Sequence, residues 1–292
     1  MYFCTDDLKD YTFANGMGLD YTYRMLKIRN SDPVIVFDKN GSVRALTGYA
    51  FSPNDYGISM ATIGVLGTTC IMPLENDKDS VIMVTSQGYG KIMDMSEVTR
   101  AKGRAMTLNE GDTLTTVIPI NHDYNPDSLV CLTSGDKMFY LRVVDFPRYK
   151  RASAGNRMVK SAKYDINITG GTFIDGDSQY LMIYGESGYG KIMDVQYLGF
   201  AKRGNNVVGL NGKRVDGAIG VASSDKNLTK IEVYAMNKDR VAHRDGEIQV
   251  DKAVMLSMDN GTSTKFKVGT SMAQPTKLLR LNKNDWYTMV EK

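Results

Sequence analysis

The chain has 292 residues, of which 42% are hydrophobic and 24% are charged, so it can build a sizeable core and does not have the composition of a disordered protein. A net charge of only +3 says little about nucleic acid by itself, and the distribution of charge is more informative. Apolar runs of about four to six residues are far shorter than the roughly 20 that a membrane helix needs, and Asp6 and Asp7 stand where a signal peptide carries bases, so we expect a cytoplasmic protein without a membrane partner.

One segment of the chain occurs twice. Ser-Gly-Tyr-Gly-Lys-Ile-Met-Asp-Val at 187–195 nearly duplicates Gln-Gly-Tyr-Gly-Lys-Ile-Met-Asp-Met at 87–95, and the segment 127–134 resembles the segment 79–86. The distance between the two copies therefore spans two periods, and the repeating unit is about 50 residues long. Taken in chain order, the repeats start near Asp32, Asp79, Asp127, Asp177 and Asn227.

Each repeat has the pattern of a β-hairpin. A short apolar run rich in Val, Ile and Tyr is followed by a glycine turn, such as Asn40-Gly41 or Gln87-Gly88, and then by a second apolar run. Helical periodicity over 11 or more residues is hard to find. The pattern predicts an all-β, β-propeller-like fold of about five to six four-stranded blades in one domain spanning 1–292. Residues 1–31 and 277–292 are expected to share a closing blade.

Basic and acidic residues alternate with the repeat. The segments 91–104, 142–163 and 191–214 are rich in Lys and Arg, whereas 109–127 and 165–187 contain acids and no Lys or Arg. Because equal phases of a circular repeat fall on the same face, the bases are expected to form one positive rim, as a surface that binds a phosphate backbone does. Glycines beside these bases let the main chain approach a phosphate, and ordinary turn chemistry explains them equally well.

An apolar strand, the motif Gly-Tyr-x-Lys and a basic, glycine-containing loop recur together, and at 85–91 the motif extends to Thr-x-x-Gly-Tyr-x-Lys. This combination resembles the C-terminal β-pinwheel domain of the A subunit of bacterial type IIA topoisomerases, DNA gyrase and topoisomerase IV, over residues 32 to about 250. The resemblance implies hairpin-invaded blades whose positive outer edge bends or wraps double-stranded DNA. It also implies, as a second partner, the catalytic core, formed by the A-subunit breakage-reunion region and the ATPase subunit.

The resemblance also implies which residues contact DNA. The motif lysines and the loop bases of the second and fourth repeats carry over directly, whereas the third repeat has Lys137-Met138-Phe139-Tyr140-Leu141-Arg142 in place of the motif and contributes only its loop bases. With neighbouring bases, the expected DNA-binding set is Lys91, Arg100, Lys102, Arg104, Arg148, Lys150, Arg151, Arg157, Lys160, Lys191, Lys202, Arg203, Lys213 and Arg214. The gyrase box Gln-Arg-Arg-Gly-Gly-Lys-Gly is absent, which favours a topoisomerase IV-like or phage-like module that bends or captures DNA.

No residue pattern indicates catalysis, a cofactor or a metal. Tyr23-Arg24 is interpreted as packing, Asp245-Gly246-Glu247 near His243 as a turn, and the phosphate-loop pattern Gly-x-x-x-x-Gly-Lys-Ser/Thr is absent. Three cysteines without a CxxC pair and two histidines make a zinc site improbable. Tyr89 and Tyr189 occupy matching phases and are interpreted as packing residues rather than DNA contacts.

Two other classes of function fit a propeller. A protein-interaction scaffold of the WD-repeat or RCC type has repeats of similar length, but usually shows His and Trp-Asp signatures, and this chain has one tryptophan. A propeller lyase or glycosidase needs convergent acids or a metal at its axis, and the sequence shows no such cluster.

Overall fold

A computed structural model of the chain describes residues 2–4, 11–13, 25–27, 31–47, 50, 68–74, 78–100, 103–175, 178–185, 189–198, 206–210, 217–222, 230–237, 252–259, 262–263, 268–269, 274, 276–277 and 285–291. Almost all regular structure in these residues is β-strand. The all-β prediction is confirmed.

The strands follow one another along the whole chain. The first twelve are β1 (Tyr2–Cys4), β2 (Tyr11–Phe13), β3 (Met25–Lys27), β4 (Pro33–Asp38), β5 (Ser42–Thr47), β6 (Thr68–Pro73), β7 (Ser80–Thr85), β8 (Tyr89–Asp94), β9 (Gly103–Arg104), β10 (Leu114–Ile120), β11 (Leu129–Ser134) and β12 (Lys137–Arg142). The others are β13 (Asn156–Arg157), β14 (Gly170–Ile174), β15 (Ser178–Gly185), β16 (Tyr189–Asp194), β17 (Asn206–Gly209), β18 (Gly217–Ala222), β19 (Lys230–Asn237), β20 (Lys252–Asp259), β21 (Thr262–Ser263), β22 (Val268–Gly269), β23 (Thr276–Lys277) and β24 (Asp285–Glu291).

Single helical turns follow three of the hairpins. The helix α1 (Met95–Val98) follows β8, and 3₁₀ turns at Val143–Asp145 and Val195–Leu198 follow β12 and β16. The sequence did not predict these turns, because one turn of helix is too short to establish a helical period.

Each repeat contributes a hairpin to a sheet of its own. β7 and β8 pair antiparallel from Ser80↔Asp94 to Val84↔Gly90, and β11 and β12 pair in the same way. Every residue of β7 is buried, since an inner strand of a stacked blade is covered on both faces. The five inner strands β4, β7, β11, β15 and β19 begin one to three residues after the predicted repeat starts.

The outer strand of a blade comes from the following repeat. The sheet orders are β6-β4-β5-β9, β10-β7-β8-β13 and β14-β11-β12-β17, so β9, β13 and β17 each join the hairpin that precedes their own. Two further sheets have the orders β18-β15-β16-β22, with β23 also paired to β16, and β21-β20-β19-β24. Four-stranded, hairpin-invaded blades are thus confirmed for the first three repeats.

The strands described near the two chain ends do not pair with each other. β1, β2 and β3 form a three-stranded sheet, and β24 pairs with β19. A blade shared by 1–31 and 277–292 is therefore not found among the described strands, and the single domain spanning 1–292 stays a prediction.

The chain divides into two compact units. One unit comprises 1–123, 147–157 and 244–248, and the other comprises 124–146, 158–243 and 249–292. The first has a core that includes Ile35, Phe37, Met83, Met93 and Met106, and the second has a core that includes Cys131, Met138, Leu181, Met193 and Leu210. The segment 147–157 belongs to the first unit although its flanking residues belong to the second, because it carries β13.

No helix in the described part of the chain is long and apolar enough to cross a membrane.

Candidate nucleic-acid interface

The basic residues of the third repeat lie on the sheet of the second. We call residues 147–157 the third-repeat basic segment. Pro147 O accepts a hydrogen bond from Ile92 N at 2.8 Å, Tyr149 N donates to Ile92 O at 3.0 Å, and β13 pairs with β8 through Asn156 and Arg157. Main-chain bonds to one edge of β8 therefore fix both ends of the segment.

The basic residues of the second repeat are held in the same way by the first blade. We call residues 100–106 the second-repeat basic segment. Its strand β9 pairs with β5, and Gly41 O accepts hydrogen bonds from Ala105 N at 2.8 Å and Met106 N at 3.0 Å. Ala105 and Met106 are fully buried in the core of the first unit, so apolar side chains anchor this segment as well.

The two basic segments contact each other. Ala152 N donates to Ala105 O at 3.1 Å, and the guanidinium of Arg151 reaches Arg100 O at 3.5 Å. Thr107, the residue after the second-repeat basic segment, donates its hydroxyl to Ala152 O. The bases of two successive repeats are therefore brought side by side on one unit.

A glycine sets the path of the third-repeat basic segment. Gly155 has φ +76°, and a Cβ built on it would stand 2.5 Å from Gly90 O and 3.3 Å from the Lys91 Cβ. Only glycine allows both this backbone conformation and this close approach. The sequence identified the glycine, and the structure shows that it brings the main chain to β8 rather than freeing it for a phosphate.

Lys91 lies beneath the two basic segments. Its side chain is 0% exposed, and its ammonium donates hydrogen bonds to Ala105 O at 2.8 Å, Lys150 O at 2.9 Å and the Ser153 hydroxyl at 2.9 Å. Burial lowers the pKa of Lys91 to about 8. The ammonium uses all three of its protons on partners inside the protein.

The prediction that Lys91 and Lys191 contact DNA needs correction. Lys191, at the matching position of β16, is only 4% exposed, and burial also lowers its pKa to about 8. Both lysines stand in the middle of strands that have neighbours on both sides. From such a position a buried ammonium does not reach a phosphate in solvent.

The other predicted bases of the first unit that the structure describes are on the surface or half-buried, and they differ in whether they form ion pairs. Arg100 pairs with Glu97 at 3.2 Å, and Arg148 pairs with Asp94 at 2.7 Å. Within the part of the chain that the structure describes, the exposed side chains of Arg104, Lys150 and Arg157 form no ion pair. Among the described bases of the predicted set in this unit, these three are the ones that we consider as contacts for an anionic partner.

The basic stretch 142–163 is divided between the two units. Arg142 makes a two-bonded ion pair with Asp145, at 3.0 and 2.6 Å, and belongs with the exposed Lys160 to the second unit. Counting charge along the sequence could not show this, since the chain crosses from one unit to the other at 147 and again after 157.

Several predicted residues lie outside the described part of the chain. Among the expected DNA contacts they are Lys102, Lys202, Arg203, Lys213 and Arg214. Tyr23-Arg24, His243 and Asp245-Gly246-Glu247 also lie outside it.

Tyr149 is a surface residue that the sequence analysis did not single out. It is 42% exposed between Arg148 and Lys150, and its hydroxyl lies 3.3 Å from the Asn156 Oδ1. Its position between two basic residues in the sequence could have indicated that Tyr149 is exposed. Tyr89, in contrast, packs against the core as predicted. Among the described residues, no group of three His, Cys, Asp or Glu is placed to hold a metal ion.

Comparison with known proteins shows what two of the repeats and the fold are similar to. Residues 79–121 and 127–167 match the family model described as DNA gyrase C-terminal domain, beta-propeller. A solved DNA gyrase A C-terminal domain has 18% identity and a TM-score of 0.64, with 90% of this chain and 83% of that chain covered. The C-terminal domain of a DNA topoisomerase IV has 14% identity and a TM-score of 0.63, with 90% and 79% covered. No curated protein sequence matches the chain.

Proposed function

Because the second and third repeats match the family model described as DNA gyrase C-terminal domain, beta-propeller, we propose that this protein is a non-catalytic module that binds double-stranded DNA for a type II topoisomerase. It bends the bound segment and presents it to the cleavage core, formed by the A-subunit breakage-reunion region and the ATPase subunit. It works in the cytoplasm, at the nucleoid.

One observation carries this proposal. Arg104, Lys150 and Arg157 have main chains fixed by strand pairing or by the Lys91 ammonium, and side chains that are exposed without a carboxylate partner among the described residues. Fixed cations are preorganised for the regularly spaced charges of a DNA backbone. Two acids of the second repeat, Glu97 and Asp94, pair with other bases, namely Arg100 and Arg148.

The mode of binding follows from the kind of element that carries the bases. Phosphate contacts position a protein on DNA, whereas base edges in a groove specify sequence. The only α-helix in the described part of the chain has four residues, far shorter than a recognition helix that fills the major groove. We therefore expect binding that tolerates any duplex sequence and depends strongly on salt.

The test is the salt dependence of DNA affinity. Each neutralised phosphate contributes about −0.9 to the slope of log affinity against log salt. Changing Arg104, Lys150 and Arg157 together to Gln is expected to reduce that slope by about 2.7 and to weaken binding equally for two unrelated duplexes. Unchanged affinity at low salt would refute the assignment of this surface.

A matched control uses a lysine outside the basic segments. Lys39 is exposed on the turn between β4 and β5, and its carbonyl accepts a hydrogen bond from Leu114 N, beside the acidic stretch 109–113. Lys39→Gln makes the same change in net charge as Lys150→Gln. Only the latter is expected to reduce the slope by about 0.9.

A topology assay separates bending from wrapping. A nicked circle is bound by the protein and religated, and its linking number is compared with that of a circle closed without protein. Bending in a plane leaves the linking number unchanged, and this is the expected result. A shift would indicate chiral wrapping, and its sign would give the hand.

A further inference from the structure

We propose that Lys91 is a positioning residue for the DNA surface: its ammonium ties the second-repeat and third-repeat basic segments together from beneath and does not touch DNA. This inference rests on the proposed function. It assigns the strongest motif residue of the repeat to the support of the surface rather than to the surface itself.

The first reason is the match between donors and acceptors. A lysine ammonium has three N–H donors, and Lys91 has three acceptors at 2.8 to 2.9 Å. One acceptor, Ala105 O, belongs to the second-repeat basic segment, and the other two, Lys150 O and the Ser153 hydroxyl, belong to the third-repeat segment. No carboxylate is within ion-pair distance of this ammonium among the described residues. The charge is therefore directed entirely at the main chain and hydroxyl of the two segments.

The second reason is that the hairpin itself does not need a lysine at this position. Lys91 pairs with Met83 in the second blade, whereas Cys131, which corresponds to Met83 in the repeat, pairs with Tyr140 in the third blade. Tyr140 is 8% exposed. An uncharged aromatic side chain can thus fill this position, and the ammonium has another purpose in the second blade.

The acceptors of Lys91 also make the residue testable by substitution. Ala105 O accepts from Ala152 N at 3.1 Å, and Lys150 O accepts from the Ser153 hydroxyl at 3.0 Å. Replacing Lys91 by the similarly sized Met therefore leaves both carbonyls with a donor and avoids the large cost of an orphaned buried group. We expect Lys91→Met to fold and to loosen the two segments.

The experiment compares the DNA binding of Lys91→Met with that of Lys150→Gln in the full chain, on a short linear duplex. Lys91→Met is expected to weaken binding about tenfold, since the loosened segments must be ordered when DNA binds. Its salt slope should stay that of the unaltered protein, because no phosphate contact is lost. Lys150→Gln should instead reduce the slope by about 0.9, as the loss of a direct contact does.

Hydrogen exchange gives a readout independent of DNA. The amides of Ala152 and Thr107 bridge the two segments, and they should exchange faster in Lys91→Met than in the unaltered protein. The matched control is Lys191→Met, which removes a buried lysine of the other unit. It should leave the exchange of these two amides unchanged, and protected amides of β7 in both variants would show that the second blade is folded.

The outcomes are distinguishable. Unaltered affinity in Lys91→Met with faster exchange, or a salt slope reduced by about 0.9, would overturn the positioning role and leave the proposed function standing. Unchanged exchange of Ala152 and Thr107 would also overturn it. Failure of the unaltered protein to bind duplex DNA at low salt would overturn the proposed function, and this inference with it.

Discussion

The stability of the protein should depend on pH through the buried ammonium of Lys91. Burial lowers the pKa of this group from 10.5 to about 8 in the folded protein. Between pH 8 and 10.5 the unfolded chain therefore binds a proton that the folded chain has released. The contribution of Lys91 to the free energy of unfolding must then rise with pH across this window, by up to about 1.4 kcal/mol per pH unit and about 3 kcal/mol in total.

Urea unfolding of the unaltered protein and of Lys91→Met, measured between neutral and alkaline pH, tests this reasoning. Other groups titrate in the same range. Burial lowers the pKa of Lys191 to about 8, which acts in the same direction as Lys91. The pKa of Tyr140 is raised and that of Cys131 is raised to about 12, mainly by burial, and these two groups act in the opposite direction. Their contributions cancel in the difference between the two proteins. The expected difference grows in favour of the unaltered protein as pH rises above 8. Parallel pH profiles would refute a buried, titrating Lys91.

Two further predictions concern the turn glycines and the ion pair beside the basic segments. Gly155→Ala is expected to destabilise the protein by about 3 kcal/mol, because a Cβ would clash with Gly90 O at positive φ. Gly111→Ala, with a similar φ and open space around it, should cost about 1 kcal/mol. Thermal unfolding of the two variants compares these costs directly. Asp94→Asn removes the ion-pair partner of Arg148 and one negative charge, so DNA should bind a few-fold more tightly at low salt. Weaker binding in a titration at about 50 mM salt would contradict this prediction.

Much of the blade architecture was predictable from short-range pattern. The apolar run Ser80–Thr85 and the turn at Gly88, with φ +81°, indicate an inner strand and a tight hairpin, and both are present. The exchange of outer strands could not be found in this way. β9, β13 and β17 have two to four residues each, and nothing within so short a segment identifies the preceding hairpin as its partner. The resemblance to a known family supplied this feature, not the residue pattern.

The candidate site was predicted less well, for a reason that concerns charge. Counting bases by phase treats every lysine as exposed, and this holds for Lys150 but not for Lys91. Lys91 lies between Gly90 and Ile92 in a strand with partners on both edges. This position could have indicated that its side chain is buried. Its actual acceptors could not be foreseen, because Lys150 and Ser153 are 59 and 62 residues away in the chain.

The strand exchange and the buried Lys91 both fix the positions of the exposed bases. Arg157 stands on a strand that belongs to the second blade by pairing and to the third repeat by sequence, and Arg104 stands on the first blade in the same manner. Each base therefore stays in place only while its own repeat and the preceding blade are both folded. Bases that are fixed from two sides lose little freedom when DNA binds, and this preorganisation raises affinity without adding a contact. A near-neutral chain can then hold an anionic polymer with few cations, provided that the segments carrying them are rigid.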